Sequence, residues 1–219
     1  VVTPTYTNDG VSCTGPSKEF TITVNPTAQV NDIDPIVECN GSFVDEVIFT
    51  TANTNGTTLY NWENDTPSIG LAATGAGNIS SFQAINTTND PVVATITVTP
   101  TYDVTDPLLA CEGEEITFTI TVNPTAQVDQ PGNYEYCNGD TATVDFTTSN
   151  GGVDSVTTYT WTVSGDDIGL DASIPEDISQ QVTNETTDTL TATVVVTPTY
   201  TNDGVSCTGP SKEFTITVN

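Results

Sequence analysis

Basic side chains are what this 219-residue sequence lacks most. It has no histidine, arginine or methionine, and only Lys18 and Lys212 oppose 29 acidic residues, for a formal net charge of -27. Binding a nucleic-acid backbone or an anionic lipid surface requires lysine and arginine, so neither is a predicted partner. Without histidine, the chain cannot build a Ser-His-Asp or Cys-His catalytic centre or a histidine-ligated zinc site.

Carboxylate chemistry is the one catalytic route that these absences leave open. A pair of carboxylates could hydrolyse a glycosidic bond, but only at a fixed separation across a cleft. The sequence has no insertion that would form such a cleft, and its repetition suits a mechanical module better than an active site. We therefore predict no enzymatic activity and no catalytic residues.

Long apolar runs are also missing. No stretch approaches the roughly 20 apolar residues of a membrane-spanning helix, so we predict no membrane insertion. The start shows no signal peptide, and we expect a mature protein or an internal piece of one. Threonine is abundant instead, with 45 residues, and together with valine and isoleucine it favours strands.

The sequence repeats itself with a period of about 97 residues. Residues 1–25 recur without a change as residues 195–219, and Phe-Thr-Ile-Thr-Val-Asn begins at Phe20, Phe118 and Phe214. We predict one complete repeat at residues 26–123 and another at residues 124–219. Residues 1–25 are then expected to be the last two strands of a truncated preceding repeat. Two strands are too few to be stable alone, so they should pack on a neighbour or be poorly ordered.

Within a repeat, apolar residues alternate with threonine or acidic residues, which is the period of a β-strand. In the first repeat we predict strands A, B, C, F and G at residues 26–38, 42–51, 59–63, 90–102 and 115–123. About seven short strands per period is typical of an immunoglobulin-like sandwich. The predicted fold class is therefore all-β, with tandem immunoglobulin-like β-sandwich repeats stacked head to tail as a rod.

Two aromatic pairs lie on the predicted C strands, Tyr60 with Trp62 and Tyr159 with Trp161. Alternation puts both members of a pair on one face of the sheet. Core packing is the favoured interpretation over a platform for stacking carbohydrate.

The Tyr-x-Trp strand resembles that of polycystic-kidney-disease (PKD) domains, although their Trp-Asp-Phe-Gly-Asp-Gly continuation is absent. The whole repeat is more similar to the PKD-like repeats of the giant gliding-motility surface adhesins of Bacteroidetes. The segments that carry this resemblance are Phe-Thr-Ile-Thr-Val-Asn-Pro-Thr-Ala-Gln-Val, Cys-Asn-Gly, Ser-Ile-Gly-Leu-Ala-Ala and Ala-Thr-Ile-Thr-Val-Thr-Pro-Thr-Tyr. The resemblance implies a very long extracellular protein, exported by the type IX secretion system, carried by the gliding machinery, and without catalytic residues.

Five cysteines have neither CxxC spacing nor histidine partners, so disulfides are favoured over metal binding. Sequence order alone suggests pairs within a repeat, Cys39 with Cys111 and Cys137 with Cys207. Head-to-tail stacking instead favours Cys39 with Cys207 between repeats, because strand A separates the two cysteines of one repeat by more than a disulfide spans. In that case Cys13, Cys111 and Cys137 need partners outside this sequence. Both patterns remain open.

Acidic clusters raise the possibility of calcium, which prefers oxygen ligands in loops. Asp32 with Asp34 near the repeat junction, and Asp103 with Asp106 in the FG hairpin, are the candidates. No cluster matches an EF-hand loop and none is duplicated between repeats, which favours solvated surface. We predict no other cofactor.

The resemblance to Bacteroidetes adhesins also implies a modification. Exported proteins of these bacteria carry O-glycans at Asp-Ser/Thr-aliphatic sites, and Thr141, Ser155 and Thr189 match that pattern. About two matches are expected by accident in so threonine-rich a chain.

Two functions from different classes fit the sequence. One is a stalk segment that extends an adhesive tip beyond the cell surface, with the neighbouring repeats as its partners. The other is a weak adhesive module in each repeat, which binds a substratum or polysaccharide through multivalency. No Gly/Ser linker separates the repeats, so we expect a stiff joint. The stalk is favoured because the predicted surface is threonine-rich and lysine-poor, without exposed aromatic clusters.

Overall fold

The computed structural model describes residues 1–54, 56–103 and 110–219, and most of its regular structure is β-strand. Of the described residues, only the 3₁₀ turn Pro67–Ile69 is helical, and no helix there is long and apolar enough to cross a membrane. The strands are β1 (Thr5–Asn8), β2 (Val11–Thr14), β3 (Ile36–Cys39), β4 (Phe43–Val44), β5 (Thr57–Asn64), β6 (Thr74–Ala76), β7 (Phe82–Gln83), β8 (Val92–Asp103), β9 (Cys111–Glu112), β10 (Ile116–Asn123), β11 (Tyr134–Tyr136), β12 (Thr141–Val144), β13 (Val156–Gly165), β14 (Ile178–Gln181), β15 (Leu190–Asn202), β16 (Val205–Thr208) and β17 (Lys212–Val218).

Strands β3 to β10 form the first sandwich. Its main sheet has the order β3-β10-β8-β5-β6, with β9 paired to β8, and a small sheet of β4 and β7 faces it. All of these pairs are antiparallel except β3 and β10, where the start of the repeat runs parallel to its last strand. This strand order confirms the predicted all-β, immunoglobulin-like fold class.

Strands β11 to β17 form the second sandwich with the same plan. Its main sheet is β11-β17-β15-β13, with β16 paired to β15, and the small sheet consists of β12 and β14. The long strand β15 alternates between buried aliphatic and half-buried threonine side chains along most of its length. Threonine side chains therefore lie on the outer face of the sheet, and valine or isoleucine side chains lie on the inner face, against the core.

Each sandwich has its own hydrophobic core. The strand that carries the aromatic pair contributes the largest ring, Trp62 in the first core and Trp161 in the second. The remaining core residues are mostly aliphatic. In each core, six of them lie on the two long central strands of the main sheet, and the others come from the remaining strands and the connecting segments. A one-residue shift of either strand would turn this apolar set outward, so the register is strongly specified.

The strand that opens the first repeat is shorter than predicted. Residues 26–38 were expected to form strand A, but only Ile36–Cys39 is a strand. Pro35, which lacks an N–H group, precedes it and interrupts a continuous ladder. The earlier part is held by other bonds: the Gln29 N–H donates to Asn53 Oδ1 and the Asn31 N–H to the Thr50 carbonyl. Predicted strand B shrinks in the same way, to Phe43–Val44 and an isolated bridge at Val47.

Residues 1–25 lie outside both cores. They form the β1–β2 hairpin and one further bridge between Val2 and Lys18. The segment from Phe20 to Val24 is not a strand, and its apolar side chains are exposed.

Candidate functional site

The joint between the two sandwiches combines a disulfide, hydrogen bonds between buried side chains and a loop contact, and we take it as the candidate functional site. Strand β10 ends at Asn123, and the chain continues directly through Pro124, which is buried. Because β3 runs parallel to β10, Cys39 lies in register with Asn123 at the same end of the first sandwich. The hairpin of β15 and β16 in the second sandwich meets this end, and β16 packs against β3.

A disulfide crosses the joint. Cys39 and Cys207 are bonded with their Cα atoms 5.6 Å apart, across a sequence separation of 168 residues. Of the two pairings that the sequence leaves open, the structure thus contains the one between repeats. This bond excludes the pairs within a repeat, Cys39 with Cys111 and Cys137 with Cys207. The topology explains this, because β3 carries Cys39 to the end of its own sandwich that faces the next one.

A pair of asparagine side chains lies beside the disulfide. The Asn202 side-chain amide donates to Asn123 Oδ1 over 2.9 Å, and the Asn123 amide reaches the Asn202 carbonyl over 3.4 Å. Asn123 is 0% exposed and Asn202 only 7%. These hydrogen bonds between buried amides fix the relative position of the two sandwiches. A shift of one sandwich against the other would break both bonds and leave buried polar groups without partners.

A loop of the second sandwich makes a third contact. The Asn150 side-chain amide and the Gly151 N–H both donate to the Asn89 carbonyl, over 3.3 and 3.1 Å. The Tyr200 hydroxyl supports this loop from behind by donating to the Gly151 carbonyl over 2.8 Å. At Gly152, whose φ is +124°, a Cβ atom would lie 2.9 Å from Pro91 Cδ, so glycine permits this close approach.

The joint also has an open groove of about 310 Å³, in which Asp90 and Asp203 lie together with Asn202. Two carboxylates do not complete an oxygen-rich calcium site. In the part of the chain that the structure describes, no three acidic, cysteine or histidine side chains come together as metal ligands.

The described residues of the predicted acidic clusters take no part in the joint contacts. Asp32 and Asp34 are exposed, and Asp32 lines a groove of about 450 Å³ beside Glu114 and Glu115. Asp103 is exposed at the end of β8, opposite Thr57. Asp106 lies outside the described residues, and the calcium hypothesis stays a prediction.

The three candidate glycosylation sites differ in their surroundings. Thr141 is exposed at the start of β12. Thr189 is exposed and its hydroxyl donates to Asn219 Oδ1, whereas the partly buried Ser155 hydroxyl donates to the carbonyls of Gly151 and Gly152. Modification at these positions stays a prediction.

The aromatic pairs are in the cores. Tyr60 contacts Phe49 with ring centroids 5.4 Å apart, and Tyr159 contacts Phe146 at 5.5 Å. Burial raises the pKa of the Tyr159 hydroxyl above its ordinary value, and the negative charge of Asp129 adds to the effect. Trp161 is buried beside them, so these rings are packed against core side chains.

Sequence reasoning missed the asparagine contacts of the joint. A signal was present, because Asn25, Asn123 and Asn219 occupy the same place at the end of each repeat. Alternation predicts an apolar or solvated residue there, and nothing in spacing shows that a second asparagine 79 positions away meets Asn123.

Comparisons with known proteins add the following. No protein-family model matches the chain, and no curated protein matches it at a significant level. Among solved structures, Drosophila N-cadherin EC1-4 is similar at 14% identity and a TM-score of 0.40, covering 89% of this chain and 50% of that one. Mouse cadherin-23 EC22-24 is similar at 13% identity and a TM-score of 0.37, covering 88% and 64%. The tandem Ig repeats of Dlar are similar at 11% identity and a TM-score of 0.26, covering 88% and 99%.

The chain thus spans about half the length of the N-cadherin structure and under two thirds of the cadherin-23 structure. The immunoglobulin-like assignment rests on the strand order of the two sandwiches.

Proposed function

We propose that this chain is a segment of a stiff extracellular spacer, the repetitive stalk of a giant cell-surface adhesin used in gliding motility and attachment. The repeats resemble those of the gliding-motility adhesin SprB of Bacteroidetes. The observation that carries the proposal is the joint, where the Cys39–Cys207 disulfide adds a second covalent link to the peptide bond at Asn123–Pro124.

Two covalent links at one joint restrict bending and twisting more than a single peptide connection does. A disulfide typically contributes about 2 to 4 kcal/mol, and disulfides form and persist mainly in oxidising surroundings. The same argument supports the proposed extracellular location. The net charge of -27 supports an extended arrangement as well, because like charges oppose collapse of one repeat onto another.

The partners of such a segment are the neighbouring repeats of its own chain. Export through the type IX secretion system, outer-membrane association and coupling to the gliding machinery belong to parts outside these 219 residues. An adhesive tip that contacts external surfaces or polysaccharide is likewise placed elsewhere in the parent protein.

Small-angle X-ray scattering of the full chain, oxidised and reduced, tests the spacer. We expect the oxidised chain to scatter as one rigid particle whose maximum dimension is the same in low and high salt. The Cys207→Ser variant, which lacks the joint disulfide, should show a broader distribution of shapes. Cys13→Ser, which keeps the joint disulfide, is the matched control. A flexible oxidised chain would contradict the proposal.

Adsorption of the same chain to glass, agar and polysaccharide, with and without calcium, tests the adhesive alternative. The spacer proposal predicts no saturable binding. Saturable binding by these residues would assign adhesion to each repeat instead.

A further inference from the structure

Three Asn-Gly pairs lie wholly within the described residues, at Asn40, Asn138 and Asn150. An asparagine that precedes glycine is prone to deamidation, because glycine has no side chain to keep its backbone nitrogen away from the neighbouring amide. That nitrogen attacks the asparagine Cγ atom, ammonia leaves, and water opens the cyclic imide to aspartate or isoaspartate. A hydrogen bond that holds the glycine N–H blocks the attack, so the partner of that N–H decides whether a pair reacts.

In two of the pairs, the glycine N–H is held within its own sandwich. The Gly41 N–H donates to the Ala84 carbonyl over 2.8 Å, and the Gly139 N–H donates to the Val182 carbonyl over 2.9 Å. Ala84 and Val182 are core residues with 0% exposure. Release of either N–H therefore requires the sandwich itself to open.

The third pair is held across the joint. The Gly151 N–H donates to the Asn89 carbonyl over 3.1 Å, and Asn89 belongs to the first sandwich. The Asn150 side-chain amide, which is the leaving group of the reaction, donates to the same carbonyl over 3.3 Å. One carbonyl of the other sandwich thus protects both reacting groups, and an opening of the joint releases them together.

The first sandwich builds the same loop without a reactive pair. The Asn53 side chain accepts the Gln29 N–H and donates to the Thr27 carbonyl, and Asn150 makes the equivalent two bonds in the second sandwich. Asn53 is followed by threonine and Asn150 by glycine. Asn53 is therefore a matched reference, with the same loop bonds and no glycine after it.

Close packing at the joint accounts for the glycine. A Cβ atom at Gly151 would overlap Asp90 Oδ1, so the two sandwiches approach this closely only with glycine there. The same approach places the Asp90 carboxylate beside the reactive pair. A carboxylate formed at Asn150 replaces a donor to the Asn89 carbonyl by an acceptor and adds a second negative charge beside Asp90. The contact across the joint then cannot form again.

We propose that Asn150–Gly151 is a deamidation site that reacts when the joint opens, and that the carboxylate formed there keeps the joint from closing again. A transient opening is thereby converted into a lasting one. The proposal uses only the geometry of the joint and does not depend on the stalk assignment.

The reaction balances with water as its only co-reactant. A bond forms between the Gly151 nitrogen and Asn150 Cγ while the bond from Cγ to the side-chain nitrogen breaks, and the glycine N–H proton leaves with the ammonia. Water then breaks one of the two C–N bonds of the imide and supplies the oxygen of the new carboxylate. One water is consumed, one ammonia is released, and nothing is oxidised or reduced.

The test follows each Asn-Gly pair in the full chain at mildly alkaline pH, using digestion at glutamate and tandem mass spectrometry to assign the deamidated residues. With the disulfide intact, we expect slow reaction at all three pairs. In Cys207→Ser, deamidation at Asn150 should be about tenfold faster, because a joint without its disulfide is open more often. Asn40 and Asn138 should react at unchanged rates. Cys13→Ser, which keeps the joint disulfide, should change none of them.

A second variant, Asn202→Ala, weakens the joint without touching the disulfide and guards against a folding defect of Cys207→Ser. It should accelerate the reaction at Asn150 alone, by a smaller factor, because one hydrogen bond of the joint is lost. Equal acceleration at all three pairs, or an unchanged rate at Asn150 in both variants, would overturn the proposal.

The effect of the product is tested with Asn150→Asp in the oxidised chain. Hydrogen exchange of the Gly151 N–H, followed by NMR, should become about tenfold faster, because a joint with repelling charges opens more often. Asn53→Asp changes the same loop position of the first sandwich and should leave that exchange unchanged. Equal exchange at Gly151 in Asn150→Asp and in the unmodified chain would show that the joint still closes and would contradict a lasting opening.

Discussion

Residues 1–25 and 195–219 have the same sequence and differ in almost everything that depends on tertiary contacts. Phe20 is 61% exposed and Phe214 only 2%, while Ile22 is 80% exposed and Ile216 is 0%. The second copy continues into strand β17 and lies between β15 and β11, whereas residues 20–24 form no strand.

The shared features of the two copies are the local ones. Both form the same hairpin around an Asn-Asp-Gly turn, with left-handed φ values at Asp9 and Gly10 that match those at Asp203 and Gly204. A turn of this kind is specified by the residues that form it. The burial of the last strand is not, because it needs the opposing sheet that residues 124–194 provide.

The largest expected difference between the copies is in the core. Phe214→Ala should lower the free energy of unfolding by about 3 to 5 kcal/mol, since the ring packs against Tyr134 and Phe146. Phe20→Ala, in the same local sequence, should leave it unchanged. Urea denaturation of both variants measures this, and equal effects would mean that the first copy is buried as well.

The disulfide should give the next largest difference. Cys207→Ser is expected to lower stability by about 2 to 4 kcal/mol, because it frees a long loop in the unfolded state. Cys13→Ser, at an exposed thiol, should have no effect. Calorimetry under oxidising conditions compares the two, and a melting temperature of Cys207→Ser equal to that of the unmodified chain would count against a structural role of the bridge.

A smaller difference is expected at the joint asparagine. Asn202→Ala removes the donor to Asn123 and should cost about 1 to 2 kcal/mol. Asn8→Ala changes the same position of the identical turn in the first hairpin, which lies outside both cores, so it should leave global stability unchanged. Chemical denaturation that shows no loss for Asn202→Ala would contradict a stabilising contact between Asn202 and Asn123.

The smallest expected effect is at the turn glycine, which both copies hold in the same backbone conformation. Gly10 and Gly204 have φ of +79° and +76°, and no atom lies within 4 Å of a Cβ placed at either one. Alanine therefore costs only its conformational strain, about 1 kcal/mol. Gly204→Ala should lower global stability by that amount, whereas Gly10→Ala should reduce amide-exchange protection of the β1–β2 hairpin alone. Unchanged protection there would contradict a locally specified hairpin.

Much of the fold follows from alternation. The long strands β8, β10, β15 and β17 were predictable because each places aliphatic residues at every second position. The short strands were not: β7 is two residues long and β6 consists of Thr-Gly-Ala, which carries no hydrophobic period. Pairing with a neighbour, and not side-chain pattern, makes these segments strands.

Part of the candidate site was predictable from the sequence and part was not. Its disulfide was one of two patterns that the sequence allowed, because cysteine positions and strand direction limit the choice. The contact of Asn150 with the Asn89 carbonyl was not predictable, since it joins a side chain to a backbone group 61 residues away in another sandwich. Bonds of this type depend on the relative placement of whole domains.

The disulfide across the joint also changes how the chain carries tension. A pulling force applied along the chain can pass from Cys39 directly to Cys207, so the 168 residues of separation lie in parallel with a much shorter covalent route. Fully extended, that length would amount to about 550 Å at roughly 3.3 Å per residue. In the oxidised protein the load therefore bypasses the residues between the two cysteines, and only the parts of the sandwiches outside this loop, such as β17, still have to resist it.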